Sequence, residues 1–324
     1  MKRRRRMKKA YGMVLFFILF AHAFIRSAGL ETGNMPVLLP YNDKRIKNPG
    51  QDMEEAAKEE KNGEYFIVYQ DALSLREIPL EEFLIGALAA GICVDYESET
   101  LKAQAVLLRG NCLRRMAGKP EEMPPSAGRI AYEKLEMDYY SPQQLQKIWG
   151  ERFEENYARC QSAVRDTQGV YAKSGREILN GNYHAMSAGR TRSGREVFAD
   201  EAYDYLQSVP CIKNRESDAF EHRVQYRSNG HGELRILERD GAGYVTKVLW
   251  NDKVLGGEQV RQALGLASSN FEIRDGSEIV TKGIGHGFGF DQYYADYLAR
   301  ENGADYMDLI SYFFKDITFV TGYV

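Results

Sequence analysis

Residues 81–115 read EEFLIGALAAGICVDYESETLKAQAVLLRGNCLRR, and they show the clearest helical pattern in the chain. Apolar residues recur every three or four positions in two runs on either side of a short acidic break, which predicts two amphipathic helices. Ser98 is the predicted start of the second helix, because a serine oxygen can accept hydrogen bonds from the first-turn N–H groups. Two short helices that meet at a bend form the corner of a cleft. An ordinary helical hairpin in the core would show the same periodicity.

The same stretch resembles the first signature of the stage II sporulation protein D family, also called the SpoIID/LytB family. That signature runs E-E-Y, two hydrophobic residues and Gly, then Glu-Met-Pro, and after a break E-A-L-K-A-Q-A with an Arg four residues on. The positions that match without a gap are Glu82, Gly86, Leu101, Lys102, Ala103, Gln104, Ala105 and Arg109. Where the family has Glu-Met-Pro, this chain has Gly91, Ile92 and Cys93.

A second group of matches lies in the middle of the chain. The segment 183–191, YHAMSAGRT, is similar to the family's aromatic-His-Ser-small-Ser-Gly-Gly-x-Thr signature, although Ala185 and Ala188 depart from it. The matching positions here are His184, Ser187, Gly189, Thr191, Glu196 and Phe198. Residues 205–209, YLQSV, match the family's Y-L-x-S-V, and residues 261–271 match R-x-x-L-G-L-x-S-x-x-F.

The last match is the glycine-rich run GIGHGFGFDQY at residues 283–293. It is similar to the family's G-H-G-x-G-M-S-Q-Y-G-A, whereas a phosphate-binding loop would need a strand-turn-helix context. Alternate glycines bring the backbone close to a neighbouring group. The retained residues are His286, Gln292, Tyr293 and Ala295, and the replaced ones are Phe290, Asp291 and Tyr294.

The resemblance, which spans roughly residues 65 to 315, implies a peptidoglycan role: lytic transglycosylase activity on glycan strands during engulfment in spore formation. A related branch implies an activator of a cell-wall amidase. The implied partners are peptidoglycan glycan strands, a cell-wall amidase and membrane-bound engulfment proteins. Lytic cleavage needs one carboxyl group, which first protonates the glycosidic oxygen and then takes a proton from the sugar's 6-hydroxyl. In the family this group is the Glu of Glu-Met-Pro.

Gly91 stands at that position and carries no side chain, so we expect lytic activity to be lost or reduced. General acid–base catalysis typically raises a reaction rate roughly 10²–10⁴-fold. The alternative is an active lytic transglycosylase with a relocated carboxylate, for which Asp95 and Glu97 are the possible substitutes. Glu81, Glu82 and Glu99 are further acids in the stretch, and all five are also typical of solvated helix ends.

Other residues at family positions can bind sugar without that acid. The predicted cleft or binding residues are Lys102, Gln104, Arg109, His184, Ser187, Thr191, His286, Gln292 and Tyr293, with Tyr183 and Phe288 as flat apolar faces. His184 and His286 have a structural alternative, a hydrogen bond within the core. A catalytic serine is disfavoured, because no G-x-S-x-G surrounds Ser187. We expect no cofactor, and a metal site from Cys93 or Cys211 with His184 or His222 has no supporting ligand spacing.

Composition favours a globular chain. Of the 324 residues, 44% are hydrophobic and 12% aromatic, which is enough to bury a core. The net charge of −3 gives no electrostatic attraction to nucleic acid. Four widely spaced cysteines form no C-x-x-C pair, so one or two disulfides and buried free thiols are equally good alternatives.

The N-terminus predicts export. Residues 2–9 are almost wholly basic, and the apolar segment 11–25 is just short of the about 17 residues that a spanning helix needs. We interpret residues 1–30 as a basic segment with a signal anchor or a signal peptide, and residues 31–63 as an extracytoplasmic linker. The predicted location is the cell membrane, with a single N-terminal anchor and an extracytoplasmic domain, or secretion.

Residues 64–324 then form the predicted SpoIID-like domain of α+β class, with helices packed against mixed or antiparallel sheets around a glycan-binding cleft. Residues 65–69 predict a strand, and Ser141-Pro142 predicts the start of a helix. Alternation from Leu234 to Leu249 predicts a two-stranded antiparallel ribbon that turns at residues 240–243. A short helix should end at Gly265, and amphipathic helices should cover residues 296–302 and 305–314.

Overall fold

The computed structural model describes residues 65–71, 74–118, 128–226, 234–275 and 277–322. The predicted anchor and linker lie outside these residues, so both stay predictions, as do the predicted domain limits. Among the helices of the described residues, none has the length and apolar character needed to cross a membrane.

Helices and short strands alternate along the described chain. In chain order they are β1 Tyr65–Asp71, β2 Ser74–Pro79, α1 Leu80–Gly91, α2 Ser98–Ala117, β3 Gly128–Ala131, α3 Pro142–Trp149, α4 Phe153–Asp166, β4 Val170–Ser174, β5 Glu177–Ile178, β6 Tyr183–His184, α5 Gly194–Phe198, β7 Glu221–Gln225, β8 Leu234–Arg239, β9 Val245–Trp250, β10 Lys253–Gly256, α6 Gly257–Leu264, β11 Phe271–Arg274, β12 Glu278–Lys282, β13 Phe290–Asp291, α7 Gln292–Asn302, α8 Tyr306–Phe313 and β14 Ile317–Thr321. The α+β prediction is confirmed.

The predicted helix pair is present as α1 and α2, and both pack against α4. Almost every side chain of α1 from Phe83 to Ala89 is buried, because helices cover it on more than one side. Helix α2 begins at Ser98 as predicted, but the prediction that Ser98 caps the helix is wrong. The N-cap residue is Glu97, and its side chain accepts no hydrogen bond from the first turn of the helix. Instead Asp296, far along the chain, accepts a hydrogen bond from the Glu97 N–H at 2.7 Å.

Small sheets surround this helical pair. Strand β1 pairs antiparallel with β2 and parallel with β3, which confirms the strand predicted at residues 65–69. Strand β4 lies between β14 and β5 in a second sheet, in which all pairs are antiparallel. Strands β6 and β13 pair in parallel and join two of the sequence signatures, because Tyr183 lies opposite Phe290 and His184 opposite Asp291.

The C-terminal half adds two antiparallel sheets, ordered β10-β9-β8 and β11-β12-β7. The predicted ribbon is confirmed as β8 and β9, and α6 ends at Gly265 with a left-handed φ of 61°. Ser141 caps α3 through a reciprocal capping box with Gln144, as its Ser-Pro sequence predicts. The predicted C-terminal helices are α7 and α8, and α7 begins four residues earlier than expected, with Asp291 as its capping side chain.

The glycine run 283–289 confirms the expectation of a close backbone approach. Gly285 has φ 110°, and a Cβ there would lie 2.7 Å from the Cβ of His184. Gly287 has φ 82°, and a Cβ there would overlap the ring of Tyr244. Glycine suits both positions, because it adopts a positive φ at little cost and has no Cβ that would clash. The run therefore wraps tightly around the segment that carries His184.

All four cysteines are free thiols, and three of them are buried. The structure therefore follows the free-thiol alternative.

Candidate functional site

Three predicted positions from distant parts of the chain meet at the C-terminal end of α1. The side-chain amide of Gln292 donates from Nε2 to the carbonyl oxygen of Gly91 at 2.8 Å and to Oε1 of Gln104 at 3.1 Å. Both glutamines are buried, and Nε2 of Gln104 has no hydrogen-bond partner among the described residues. Gly91 is therefore held against α2 and α7 by an amide pair.

Tyr183 faces Gly91. A Cβ built on Gly91 would lie 3.5 Å from the Tyr183 hydroxyl and 3.8 Å from its Cε2, which are ordinary contact distances. Burial, followed by the charge of Asp138, raises the pKa of Tyr183 to about 12. The phenol is therefore protonated near neutral pH and can donate a hydrogen bond. The corner has room for a side chain at position 91 and presents a neutral hydroxyl to it.

The two acids predicted as substitutes are placed differently from each other. Arg152 holds Asp95, with 2.6 Å between Nη2 of the arginine and Oδ1 of the carboxylate. Glu97 is exposed at the start of α2, where its backbone N–H is bonded to Asp296. Neither carboxylate takes part in the hydrogen bonds that join Gln292 to Gly91 and Gln104.

Arg109 lies inside the protein, which differs from its predicted place in the cleft. Its Nε and Nη2 donate to the two carboxylate oxygens of Glu81, each at 2.7 Å, and its Nη1 donates to the carbonyl of Val170 at 2.9 Å. The side chain is completely buried. A bidentate pair of this kind fixes α2 against α1 and β4 and leaves no donor for a sugar.

Lys102 is likewise engaged with the protein. Its ammonium group lies 2.7 Å from Oε1 of Glu99, one turn earlier on α2. Glu99 also accepts the Tyr306 N–H with its second oxygen at 3.1 Å, so this pair ties the first turn of α2 to α8.

His184 belongs to a buried polar cluster around Asp291. Nδ1 of His184 donates to the carbonyl of Phe288 at 3.0 Å, while Nε2 lies 3.8 Å from Oδ2 of Asp291 and has no hydrogen-bond partner among the described residues. Burial lowers the pKa of His184, and the charge of Asp291 opposes that shift. The structural alternative therefore describes His184 better than a role in the cleft.

Asp291 itself organises this cluster. It accepts the Ser187 N–H at 2.8 Å, Nδ2 of Asn214 at 2.5 Å and the Tyr294 N–H at 3.0 Å. The hydroxyl of Ser187 accepts a further bond from Asn214 at 3.0 Å. Ser187 is completely buried, so its hydroxyl is a structural group.

Thr191 is also structural: its hydroxyl donates to the Gln207 carbonyl at 2.7 Å and accepts the Val209 N–H at 2.8 Å. Most of His286 is buried, and its Nδ1 accepts the Phe288 N–H at 3.1 Å. Burial lowers the pKa of His286 to about 3, so the ring is neutral at physiological pH. Tyr293, on α7, is partly exposed, so its predicted role in binding stays a prediction.

A cavity of about 790 Å³ opens beside the Gly91 corner, and Tyr183 forms part of its wall. The remaining wall comes from the C-terminal half of α2, from residues 133–137 and from Asn180. Tyr183 therefore lines the cavity with its ring and meets position 91 with its hydroxyl. We call the corner and the cavity together the Tyr183 groove.

Asp138 lies close enough to Tyr183 for its charge to affect that residue, and it is not among the site residues predicted from the sequence. It is exposed, and its charge is the second cause of the raised pKa of Tyr183. Tyr140 donates its N–H to the carbonyl of Gly86 at 3.3 Å, which holds the segment after Asp138 along α1. No periodicity or motif marks Asp138, because its position depends on a long-range contact between a loop and a helix.

The metal-site idea receives no geometric support. Among the described residues, no three His, Cys, Asp or Glu side chains are grouped in a way that could hold a metal ion.

Comparison with known proteins agrees with the signatures. A family model described as SpoIID, stage II sporulation protein, matches residues 69–173. Stage II sporulation protein D of Bacillus amyloliquefaciens is 30% identical over 259 residues, which cover 75% of each chain. The protein of that name in Bacillus subtilis strain 168 is 28% identical over 264 residues, or 76% of each chain. An uncharacterized protein of Brachyspira hyodysenteriae is 22% identical over 275 residues, which cover 79% of this chain and 70% of that one. The chain belongs to the stage II sporulation protein D family.

Proposed function

We propose that the protein binds peptidoglycan glycan strands in the Tyr183 groove during spore formation, and that its lytic activity is lost or much reduced. The observation that carries this proposal is the empty side-chain position at Gly91. A side chain there would meet the hydroxyl of Tyr183 at contact distance, yet glycine supplies no carboxyl group.

The chemistry makes this loss decisive. Lytic transglycosylation requires an acid at the glycosidic oxygen, within about 2.6–3.2 Å of the atom that it protonates. The phenol of Tyr183, with a pKa raised to about 12, is too weak an acid to replace a carboxyl group. Without the carboxyl group we expect cleavage slower by roughly 10²–10⁴-fold.

Binding does not need that acid. The ring of Tyr183 offers an apolar face, and its hydroxyl offers a donor. Tyr293, which is partly exposed on α7, is a second aromatic residue that could contact a sugar chain. A groove of this kind retains affinity for a sugar chain after its catalyst has gone.

The test combines two measurements on the purified full-length protein. Glycan strands are first assayed for co-sedimentation with the protein and are then analysed by mass spectrometry for new 1,6-anhydro ends. We expect binding without cleavage. Turnover comparable to that of an active family member would refute the loss of activity, and failure to bind would refute the glycan-binding role.

One observation favours a second candidate, an active lytic transglycosylase with a relocated acid. Asp138 is an exposed carboxylate whose charge acts on Tyr183, so it is a better candidate than Asp95, which is held by Arg152. If the wild-type protein does form anhydro ends, Asp138→Asn should abolish them. Unchanged cleavage by that variant would eliminate Asp138 as the acid.

We also propose that the protein works outside the cytoplasmic membrane on a single N-terminal anchor, with a cell-wall amidase and membrane-bound engulfment proteins as partners. Support comes from the basic and apolar residues of the N-terminus and from family membership. Membrane fractionation tests the anchor. Measuring amidase turnover on intact peptidoglycan with and without the protein tests a role as activator.

A further inference from the structure

The ring of Phe288, predicted as a flat apolar face for a sugar, is buried in a stack of side chains. Phe198 stacks against it, with 5.2 Å between ring centroids and 24° between ring planes. The guanidinium group of Arg192 also lies over Phe288, at 4.4 Å from its centroid. Arg192 lies 5.0 Å from the ring centroid of Tyr244, which is completely buried. A continuous stack therefore runs from Tyr244 in the interior to Phe198 at the surface.

Phe198 ends this stack with an exposed ring. Its exposed fraction is 46%, whereas phenylalanine is more often found in the core. The exposed large hydrophobic side chains of the described residues are Leu75, Ile148, Phe198, Ile212, Leu237, Val254 and Met307. Phe198 is the aromatic member of this group, and the others do not lie on α5. The exposed apolar surface of this helix is therefore one ring, which is smaller than the patch that a stable protein interface buries.

The segment that carries Phe198 is held in place by several contacts. Tyr203 packs against the Phe198 ring with 4.4 Å between centroids. A Cβ on Gly194 would lie 2.7 Å from the carbonyl oxygen of Tyr203, so α5 runs close against the segment that follows it. Glu196 accepts the Gly241 N–H at 2.6 Å, which ties α5 to the turn between β8 and β9. An exposed ring that is fixed in this way loses little conformational entropy when a ligand lies against it.

The stack is connected to the Tyr183 groove through His286. The His286 ring stacks on Phe288 with 5.9 Å between centroids and 30° between planes. A hydrogen bond joins His286 to the backbone of Tyr183. Two contacting rings therefore separate Phe198 from the strand that carries Tyr183. This separation is short enough for one extended sugar chain to reach both residues.

We propose that Phe198 is a second sugar-binding position for the glycan strand, with one sugar ring stacked on its exposed face. The axial C–H groups of a β-linked pyranose carry partial positive charge, and the face of an aromatic ring is negatively polarised. The neighbouring side chains Arg195, Glu196 and Glu201 are exposed and polar, which suits the hydroxyl groups of a sugar. The inference rests on the proposed function, because the strand reaches Phe198 from the Tyr183 groove.

The experiment measures equilibrium binding of the full-length protein to peptide-free glycan strands that have been separated by length. We expect affinity to rise with length until a strand spans from the Tyr183 groove to Phe198. Phe198→Leu keeps an apolar cover over Phe288 but removes the aromatic face. It should weaken binding of long strands by about two- to tenfold and leave the shortest binding strands unaffected.

Two further variants serve as controls. Phe198→Tyr keeps the aromatic face and should bind strands of every length like the wild type. Leu75→Ala removes an exposed apolar side chain on β2 and should change no affinity. Urea unfolding of each variant shows whether a loss of binding reflects a loss of folding.

Phe198→Trp gives a direct measurement of the contact. A sugar stacked on the new indole should change its fluorescence emission during a titration with long strands, and the midpoint should match the affinity measured at equilibrium. The wild-type protein, which has two tryptophans, gives the background for this titration. Emission that stays at the background while long strands bind would overturn the inference.

The outcomes for the two proposals are distinguishable. If Phe198→Leu binds strands of every length like the wild type, the inference fails and the glycan-binding proposal stands. Equal weakening at every length also overturns the inference, because Phe198 would then support the groove rather than form a separate position. If the wild type binds no strand, both proposals fail. Self-association that Phe198→Leu abolishes, with strand binding unchanged, would assign the ring to a second copy of the chain instead.

Discussion

Restoring a carboxyl group at position 91 tests the proposed loss of activity most directly. Gly91 is the last residue of α1, and the three atoms nearest to a Cβ built there all belong to Tyr183, at 3.5–3.9 Å. No atom has to move to admit the first carbon of a glutamate. The Gly91→Glu side chain would begin beside the Tyr183 hydroxyl, which can donate a hydrogen bond to a carboxylate.

The expected effect on stability is small, because two terms oppose each other. Replacing a helical glycine by a good helix former stabilises by about 0.5–1 kcal/mol. A negative charge at a helix C-terminus costs about 0.3–1 kcal/mol. The net change in the free energy of unfolding should lie between about −0.5 and +0.7 kcal/mol, so a change in activity would not reflect a change in folding.

The expected effect on cleavage is large. A correctly placed general acid contributes roughly 10²–10⁴-fold, so Gly91→Glu should form 1,6-anhydro ends at least about a hundred times faster than the wild type. The assay incubates full-length protein with glycan strands and counts those ends by mass spectrometry. Gly91→Gln is the matched control, because it has the same size but cannot transfer a proton.

Two results would refute the reasoning. Equal cleavage by the Gly91→Gln and Gly91→Glu proteins would show that the carboxyl group is not what the groove lacks. A glutamate variant that still binds strands but does not cleave them would show that the loss of activity does not rest on Gly91 alone.

Three further predictions concern the framework of the groove. Arg109→Met should lower the free energy of unfolding in urea by about 2 kcal/mol or more, because it removes two hydrogen bonds from the largely buried carboxylate of Glu81. Gly287→Ala should cost about 2 kcal/mol or more, since it combines a φ of 82° with overlap of the Tyr244 ring. Acidification from pH 6.5 towards pH 4 should destabilise the protein by up to about 1.4 kcal/mol per pH unit through His286, because its folded pKa of about 3 means that only the unfolded state takes up the proton in that range.

Each of these predictions has a control. Arg195→Met removes an exposed arginine and should leave the free energy of unfolding nearly unchanged, so an equally small effect of Arg109→Met would contradict the buried-pair argument. Gly303→Ala keeps a left-handed φ of 67° but meets no atom within 4 Å, so it isolates the backbone cost. His286→Gln should reduce the pH dependence of urea unfolding without abolishing it, because burial also lowers the pKa of His184, and an unchanged slope would contradict a contribution from His286.

The secondary structure was predictable where local chemistry dominates. Helices α1 and α2 follow from apolar spacing, and the capping box at Ser141 follows from a Ser-Pro start with Gln144 three residues on. The ribbon β8–β9 follows from alternation around a glycine-rich turn. Each of these features depends on residues within one or two turns of one another, so the chain carries the whole signal locally.

The capping of α2 and the role of Arg109 were not predictable in this way. The Glu97 N–H is bonded to Asp296, which is 199 residues away, and Arg109 is paired with Glu81, which is 28 residues away. An arginine on a polar helix face has the same local pattern whether it faces a cleft or a buried carboxylate. The pairing partner, and hence the role, is set by packing.

Residue identity and short-range spacing were enough to predict the family and the α+β class, and they also led to the hypothesis that Gly91 replaces the family's acid. The tertiary structure decided what surrounds that position. It brought Tyr183 and Gln292 to Gly91, placed Arg109, Ser187 and Thr191 inside the protein, and opened a cavity with charged lining residues within the Tyr183 groove. Burial and hydrogen-bond partners depend on contacts between distant segments, and short-range spacing does not encode these contacts.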